Sequence, residues 1–463
     1  MSHPQQRADR RLIATLTLSL CLFVGIACQV GNSSVADRAT QPPAVTPPTE
    51  SQTISAPVAA ETATTIAVSP TETQVVPTVA APDLALTGQF VFIRNANLWI
   101  RRNGVETQLT TDAIPAEIPY VSGGAKLWYS NPQLSPDGSK IAYLKNTPTA
   151  ARTLIVSDSA GKNARQLAAD VEWTMPLVRW SNDSQRVYYP VAQGFDAIGV
   201  RSVTVATGEE QVHGQFAMMS GCGGASSDAA DHLAAGEHIV GVGGGPQVFE
   251  LAPQNNYLVH TTVCTGSGLG ILDLSTGQDR KLDEKARQAV IAPDGQRLAA
   301  ISDNNVVIYE ASSGELEKTI PTSEKPLILL WAADGKTIFY STVQLAKELN
   351  LDDQVALAVL GSSPASYRAN LATLWKMTVD TGASEKVSDL EAHAIKPVFA
   401  TPEKVLVVVV ENATALFDYI TQYQTQENMA HYYPHVNIVA VDLVTLQSNS
   451  VVSQAQESAY SAR

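Results

Sequence analysis

The chain has 463 residues, with 31 Lys and Arg against 45 Asp and Glu for a net charge of −14, and 44% of its residues are hydrophobic. That apolar fraction excludes a wholly disordered chain, the lack of a glycine period excludes a collagen-like one, and the negative balance excludes a cationic nucleic-acid binder. A globular body with material for a large core remains.

At the N-terminus, Arg7, Arg10 and Arg11 precede an uncharged apolar run from Leu12 to Ala27, followed by Cys28. A basic start and an apolar centre form the pattern of a secretory signal. At 1.5 Å per residue the run covers about 24 Å, short of the roughly 30 Å of hydrocarbon that a permanent span must cross. Val24-Gly25-Ile26-Ala27-Cys28 resembles the bacterial lipoprotein signal. The resemblance implies cleavage after Ala27 and a diacylglycerol on Cys28. Gly25 departs from the Leu, Val or Ile that this family prefers, and Gly25-Ile26-Ala27 also fits ordinary small-x-small cleavage.

From Gln29 to Pro82 the composition shifts to Thr, Ala, Pro, Ser and Val with no aromatic residue. Such a segment buries too little apolar surface to order itself. As a flexible coil it spans about 40 Å, and as extended polyproline II up to about 170 Å. The domain plan is therefore a signal peptide over 1–27, a lipid-anchored disordered stalk over 28–82 and a folded body over 83–463.

The body is a series of short runs rich in Val, Ile, Tyr, Leu and Trp, broken by Gly, Asp and Asn, which predicts many antiparallel strands. One unit recurs. It is clearest at Pro132-Gln133-Leu134-Ser135-Pro136-Asp137-Gly138-Ser139-Lys140-Ile141-Ala142-Tyr143-Leu144, and it returns around Ser181, Ala252, Ala292, Ala332 and, weakly, Ala400. These anchors are 46, 71, 40, 40 and 68 residues apart. A period near 40 with enlarged units predicts a β-propeller of four-stranded antiparallel blades. The turn chemistry is structural: Pro136 and Pro293 fix φ, Asp137 and Asp294 bond the backbone ahead, and Gly138 and Gly295 supply φ > 0.

Ser135-Pro136-Asp137-Gly138-Ser139-Lys140-Ile141-Ala142-Tyr143, with the Gln-Leu endings at Gln108-Leu109-Thr110 and Gln166-Leu167, resembles the TolB-type (WD40-like) propeller repeat. The resemblance covers about 370 residues from Gly88 onward. It implies an exported protein of the cell envelope that binds partners, and it implies a fold rather than a reaction. Gln89 to Thr110 supplies three strands and the six anchored units follow, which makes seven blades if the tail from Ser453 to Arg463 contributes the missing strand. A six-bladed ring is the alternative.

Three segments interrupt the period: Gly214 to Pro246, Val343 to Ala372 and Glu411 to His435. Because strands alternate in direction, blade-to-blade loops and second-to-third loops leave from one end, and all three inserts belong there. Long loops on one side of a rigid body predict a binding surface. The first insert carries Cys222, and Cys264 follows the strand beginning at Tyr257. With Cys21 removed in the signal and Cys28 lipidated, Cys222 and Cys264 are expected to pair as a disulfide in an oxidising compartment. A Cys/His metal site is the alternative, without Cys-x-x-Cys or paired-His spacing to support it.

The second insert has leucines at helical intervals and is expected to form short helices. The third carries Phe417, Tyr419, Tyr423, His431, Tyr432, Tyr433 and His435, an aromatic set suited to stacking on a glycan or to a protein hot spot, or to packing the neighbouring inserts together. His431 and His435 have helical zinc spacing, but Pro434 breaks the helix that would align them.

Phosphate loops, nucleophile elbows and zinc-protease motifs do not occur in the sequence. The functional expectation is a monomeric binding or scaffold protein without cofactor or metal. It would recognise an envelope protein or a glycan, touch the membrane only through its lipid and bind no nucleic acid. The alternative is a propeller hydrolase or polysaccharide lyase with its site at the central channel.

Overall fold

The structure, a computed structural model, describes residues 88–114, 126–147, 152–172, 177–193, 197–217, 248–261, 268–350, 366–390, 392–411, 436–453 and 457–461. The chain divides between Pro77 and Thr78, and every described residue lies in the second unit. The signal, Cys28 and the stalk fall outside the described residues. Regular structure among the described residues is entirely β, in 28 strands.

The strands sort into seven antiparallel groups of four. The first contains β1 (Gln89–Arg94), β2 (Asn97–Arg102) and β3 (Val105–Gln108), completed by β28 (Glu457–Ser461). The second is β4 (Trp128–Leu134), β5 (Lys140–Asn146), β6 (Arg152–Asp158) and β7 (Arg165–Val171). The third is β8 (Arg179–Trp180), β9 (Arg186–Ala192), β10 (Ala197–Thr204) and β11 (Glu210–Ala217). A single bridge, Val171 to Val191, fuses these two groups into one eight-stranded sheet. The fourth is β12 (Phe249–Leu251), β13 (Tyr257–Thr261), β14 (Leu269–Asp273) and β15 (Asp279–Asp283). The fifth is β16 (Gln288–Ile291), β17 (Arg297–Ser302), β18 (Asn305–Glu310) and β19 (Leu316–Pro321). The sixth is β20 (Pro326–Trp331), β21 (Thr337–Asn350), β22 (Ser366–Thr378) and β23 (Ser384–Leu390). The seventh is β24 (Ala392–Ala400), β25 (Lys404–Glu411), β26 (Val436–Asp442) and β27 (Ser448–Val452).

Burial explains the sequence of each group. Middle strands such as Tyr257-Leu258-Val259-His260-Thr261 are buried throughout, because both faces of the sheet pack on neighbouring groups. Outer strands such as Asp279-Arg280-Lys281-Leu282-Asp283 stay largely exposed and polar. Each pair of successive groups shares one apolar cluster. Ala142 and Leu154 meet Val187 and Tyr189, and Tyr188 and Phe216 meet Phe249 and Leu272. Phe90 and Phe92 meet Leu406 and Ile438, so the seventh group packs on the first. The ring closes by overlap of the chain's two ends, as expected: β28 pairs with β1, Tyr460 opposite Phe90, so the C-terminal tail supplies the first group's missing strand. The architecture is a β-propeller, closed without an exposed edge strand at the junction of its ends.

The recurring turn has the predicted chemistry. Ser135 N–H donates to Lys140 O, Gly138 N–H donates to Ser135 O, and Gly138 takes φ 70°. The Ser135 hydroxyl donates to Asp137 Oδ1 at 2.6 Å, and Asp137 Oδ1 also accepts from Ser139 N–H. The same bonds recur at Ser181, Asp183 and Gln185. A second turn repeats between third and fourth strands, closed by the N–H of Gly208, Gly277, Gly314 or Gly382.

Two expectations are corrected. The second insert forms no helix at its described ends: β21 and β22 continue as an antiparallel ribbon as far as Asn350 opposite Ser366. Leu345 and Leu349 have helical spacing, but the ladder begun in the sheet runs on past them with one register shift at Ala346, and this context overrides a weak local preference. The first insert also begins later than Gly214, which lies inside β11 at a β-bulge, with φ 137° and its Cα against Gly277.

Candidate functional site at the insert-bearing end

Hydrogen bonds between connections establish that they share an end. Thr322, between β19 and β20, donates its hydroxyl to the carbonyl of Asn304, between β17 and β18. Lys285 lies 3.5 Å from Asp303 across the corresponding pair of connections. The long connections, 109–127, 218–248, 351–365 and 412–435, are of these two kinds and leave from this end. Three polar clusters stand among its described residues.

The first adjoins the root of 218–248. Phe216 is the penultimate residue of β11 and His260 the penultimate residue of β13; their rings stack at 3.8 Å with planes 12° apart. His260 is 3% exposed, and its Nε2 lies 2.8 Å from Asp279 Oδ1. Nε2–H therefore donates to the carboxylate, while Nδ1 is buried without a hydrogen-bond partner. The ring has room because Gly270 stands opposite His260 in the ladder; a Cβ there would lie 2.6 Å from the imidazole. A neighbouring histidine, His213, is satisfied on both nitrogens by Ser202 Oγ at 2.8 Å and Leu274 O at 3.3 Å. Burial holds its pKa below the ordinary histidine value.

The second cluster joins the first two groups. Tyr129 donates to Asp112 at 2.6 Å, and Lys145 lies 3.1 Å from the other carboxylate oxygen. The Tyr129 hydrogen bond, with Lys145 adding to it, keeps Asp112 below the usual carboxylate range. Burial above all pushes the Tyr129 phenol upward, and it raises Tyr143, set edge-on to Tyr129 at 5.6 Å, to about 12. The third cluster lies at the base of the ribbon. Thr342 donates to Glu324 at 2.6 Å and accepts from the Trp375 indole at 3.0 Å.

Toward the ring's centre, Arg179 of β8 and Glu250 of β12 form a two-pronged ion pair at 2.5 and 3.1 Å. No group of three or more His, Cys, Asp or Glu residues with metal-binding geometry occurs among the described residues. No helix among them is long and apolar enough to cross a membrane.

Cys28, the Cys222 and Cys264 pair, and Phe417, Tyr419, Tyr423, His431, Tyr432, Tyr433 and His435 all lie outside the described residues. The structure adds Phe216, His260, Gly270 and Asp279, which the sequence analysis did not single out. The available signal was a histidine in an otherwise apolar strand, but its partners come from other strands and another group.

No protein-family model matches the sequence, and no curated protein matches it. Among solved structures, it is similar to TolB from Acinetobacter baumannii, at 15% identity and TM-score 0.40 over 70% of this chain and 67% of that one. It is also similar to oligogalacturonate lyase from Vibrio parahaemolyticus, at 13% identity and TM-score 0.44 over 78% and 84%. A third is a putative 6-phosphogluconolactonase from Bacteroides uniformis, at 13% identity and TM-score 0.45 over 81% and 99%. The propeller fold is read from the strand topology itself, and what these proteins do is a property of theirs.

Proposed function

We propose that the protein is an exported, lipid-anchored binding protein of the cell envelope, recognising a protein or glycan partner through its insert-bearing end. One observation carries this reading. Connections of 19, 31, 15 and 24 residues leave the end at which Thr322 bonds Asn304 and Lys285 meets Asp303 across shorter connections. Elaboration confined to one end of a rigid ring is the arrangement of a recognition surface. The first strands are poor in charge as well: β4, β16 and β20 carry none, Arg179 and Glu250 neutralise one another, and β24 and β28 bring Lys396 and Glu457. The aromatic residues of 412–435 supply the anchoring chemistry.

The test is capture from a cell-envelope extract and on a glycan array, comparing the full chain with a variant lacking 412–435. Retained capture by the deletion variant would refute the assignment. Anchoring is tested separately: Cys28→Ala should move the protein out of the membrane fraction.

A further inference from the structure

The opposite end of the propeller holds a cleft that the binding reading does not use. It has a volume of about 320 Å³ and lies between the second and third groups, bounded by Lys140, Ser157, Asp158, Asn163, Arg165, Ser184 and Gln185 over an apolar floor of Val156, Val205 and Ala206. Two departures from the repeat meet there. The turn between third and fourth strands has five residues in each group from the third to the seventh, but six in the second, 159–164. The extra length carries Asn163 in the left-handed region at φ 55°. In the recurring first turn, the left-handed position belongs to Gly138, Asn255, Gly295 and Gly335, but in the third group to Ser184 at φ 61°. A serine there is strained relative to glycine or asparagine.

The charges in the cleft do not cancel through contact. Asp158 is occupied by its own turn: it accepts from Ala160 N–H at 3.0 Å, Lys162 N–H at 2.8 Å and Asn163 Nδ2 at 3.0 Å. Lys140 Nζ contacts the Ser139 hydroxyl, at 3.2 Å, and its charge also acts on the nearby Asp137 carboxylate without an ion-pair contact, while the Arg165 guanidinium has no hydrogen-bond or ion-pair partner among the described residues. Arg186 is committed to Ser202 and Gln211. The Ser184 oxygen accepts from Asp137 N–H at 3.1 Å, leaving its own O–H free to donate. Two cations without an ion-pair contact among the described residues, with spare donors around an apolar floor and the one lining carboxylate, Asp158, held by its own turn, match a compact anion with a carbon body.

We propose that this cleft binds a small organic acid, its carboxylate on Lys140 and Arg165 and its carbon chain on Val156 and Val205. The site is independent of the insert-bearing end, so its failure and the failure of the binding reading are distinguishable.

The experiment is titration calorimetry of the full chain with succinate, glutamate and inorganic phosphate. The expected result is saturable binding of succinate or glutamate that weakens with added salt. It should weaken at least about tenfold in Lys140→Gln combined with Arg165→Gln. Ala206→Trp, which fills the cleft without changing charge at an exposed position, should abolish binding with the melting transition retained. Lys336→Gln, at a comparable turn outside the cleft, should leave it unchanged. Binding that survives the double variant overturns the proposal, as does an absence of binding to the natural chain. Binding of phosphate alone also overturns it, because the apolar floor would then have no role.

Discussion

At one end of the propeller, tight turns are tied to their neighbours from the first group to the sixth. Gln89 donates to Gly138 O, Asp137 N–H to Ser184 Oγ, Asn182 N–H to Asn255, Gln254 to Asp294 O and Arg297 to Gly335 O. The second set of turns is laced in the same way by Arg280 onto Ala311 O and Lys318 onto Val379 O. At the other end, connections range from one residue between β23 and β24 to 31 between β11 and β12. The contrast shows how the fold separates its tasks. One end carries only short turns, most of them of five residues with one left-handed position, and ties neighbouring groups together, while the other end varies widely in length.

The largest effect should come from breaking the ring that both ends share. Truncation after Ser453 removes β28 and strips β1 of one of its two partners, leaving β1 as the open edge of the first group. A loss on the order of 5 kcal/mol, a large part of a domain's margin, is expected, with aggregation on heating. Denaturant unfolding of the truncated chain measures it; an unchanged midpoint would mean that the clusters between groups hold the ring without strand overlap.

A smaller, sharper test concerns the niche of His260. In Gly270→Ala the new methyl would stand 2.6 Å from the imidazole, so overpacking should cost about 1–3 kcal/mol. The double variant Gly270→Ala with His260→Ala should recover part of that loss in a double-mutant cycle. Additive losses would show that the glycine serves the backbone and not the ring.

The belt itself should respond to acid. The Ser135 hydroxyl first, and then the Ser139 N–H and hydroxyl, hold Asp137 at about 2. Its unfolded value is about 3.9, so its contribution is complete above about pH 4 and lost as pH falls toward 2. Asp137→Ala should cost about 1 kcal/mol near neutrality, because the carboxylate is solvent-screened, and should flatten that acid limb. His213 acts at higher pH with the same sign. Its folded value is depressed by burial, so the unfolded chain takes the proton first and stability falls as pH drops below about 6.5. Chemical denaturation as a function of pH, with His213→Gln as the comparison, separates the two windows.

The turn end was legible in the sequence because its chemistry is local. Proline, aspartate and glycine at fixed offsets specify a turn without reference to the rest of the chain, and counting anchors led to the tail that closes the ring. The ribbon of β21 and β22 was not legible, since leucines at 345 and 349 fit a helix and only the ladder already running beside them decides otherwise. The His260 cluster was less legible still. It depends on the register that sets His260 opposite Gly270 and on a ring from the preceding group, neither of which leaves a pattern in one stretch of residues. Lys140 and Arg165 were read only as members of the repeat, because their lack of ion-pair partners is a property of the packed turns.

The smallest effect on stability should come from the variable end, and there the comparison is most exposed. Residues 412–435 join Glu411 to Val436, which are the last pairings of their strands, Val410 lying opposite Val436. Replacing the segment by a short glycine-containing turn should leave the melting transition within a degree or two, because a shorter closed loop lowers the entropy of closure by less than about 2 kcal/mol and the sheet is already complete without it. Capture of the partner should be lost in the same variant. A large fall in melting temperature would make the segment part of the frame, with its aromatic residues packing the propeller in place of a ligand. Stability retained together with lost capture would assign the free end to recognition and the belted end to holding it in place.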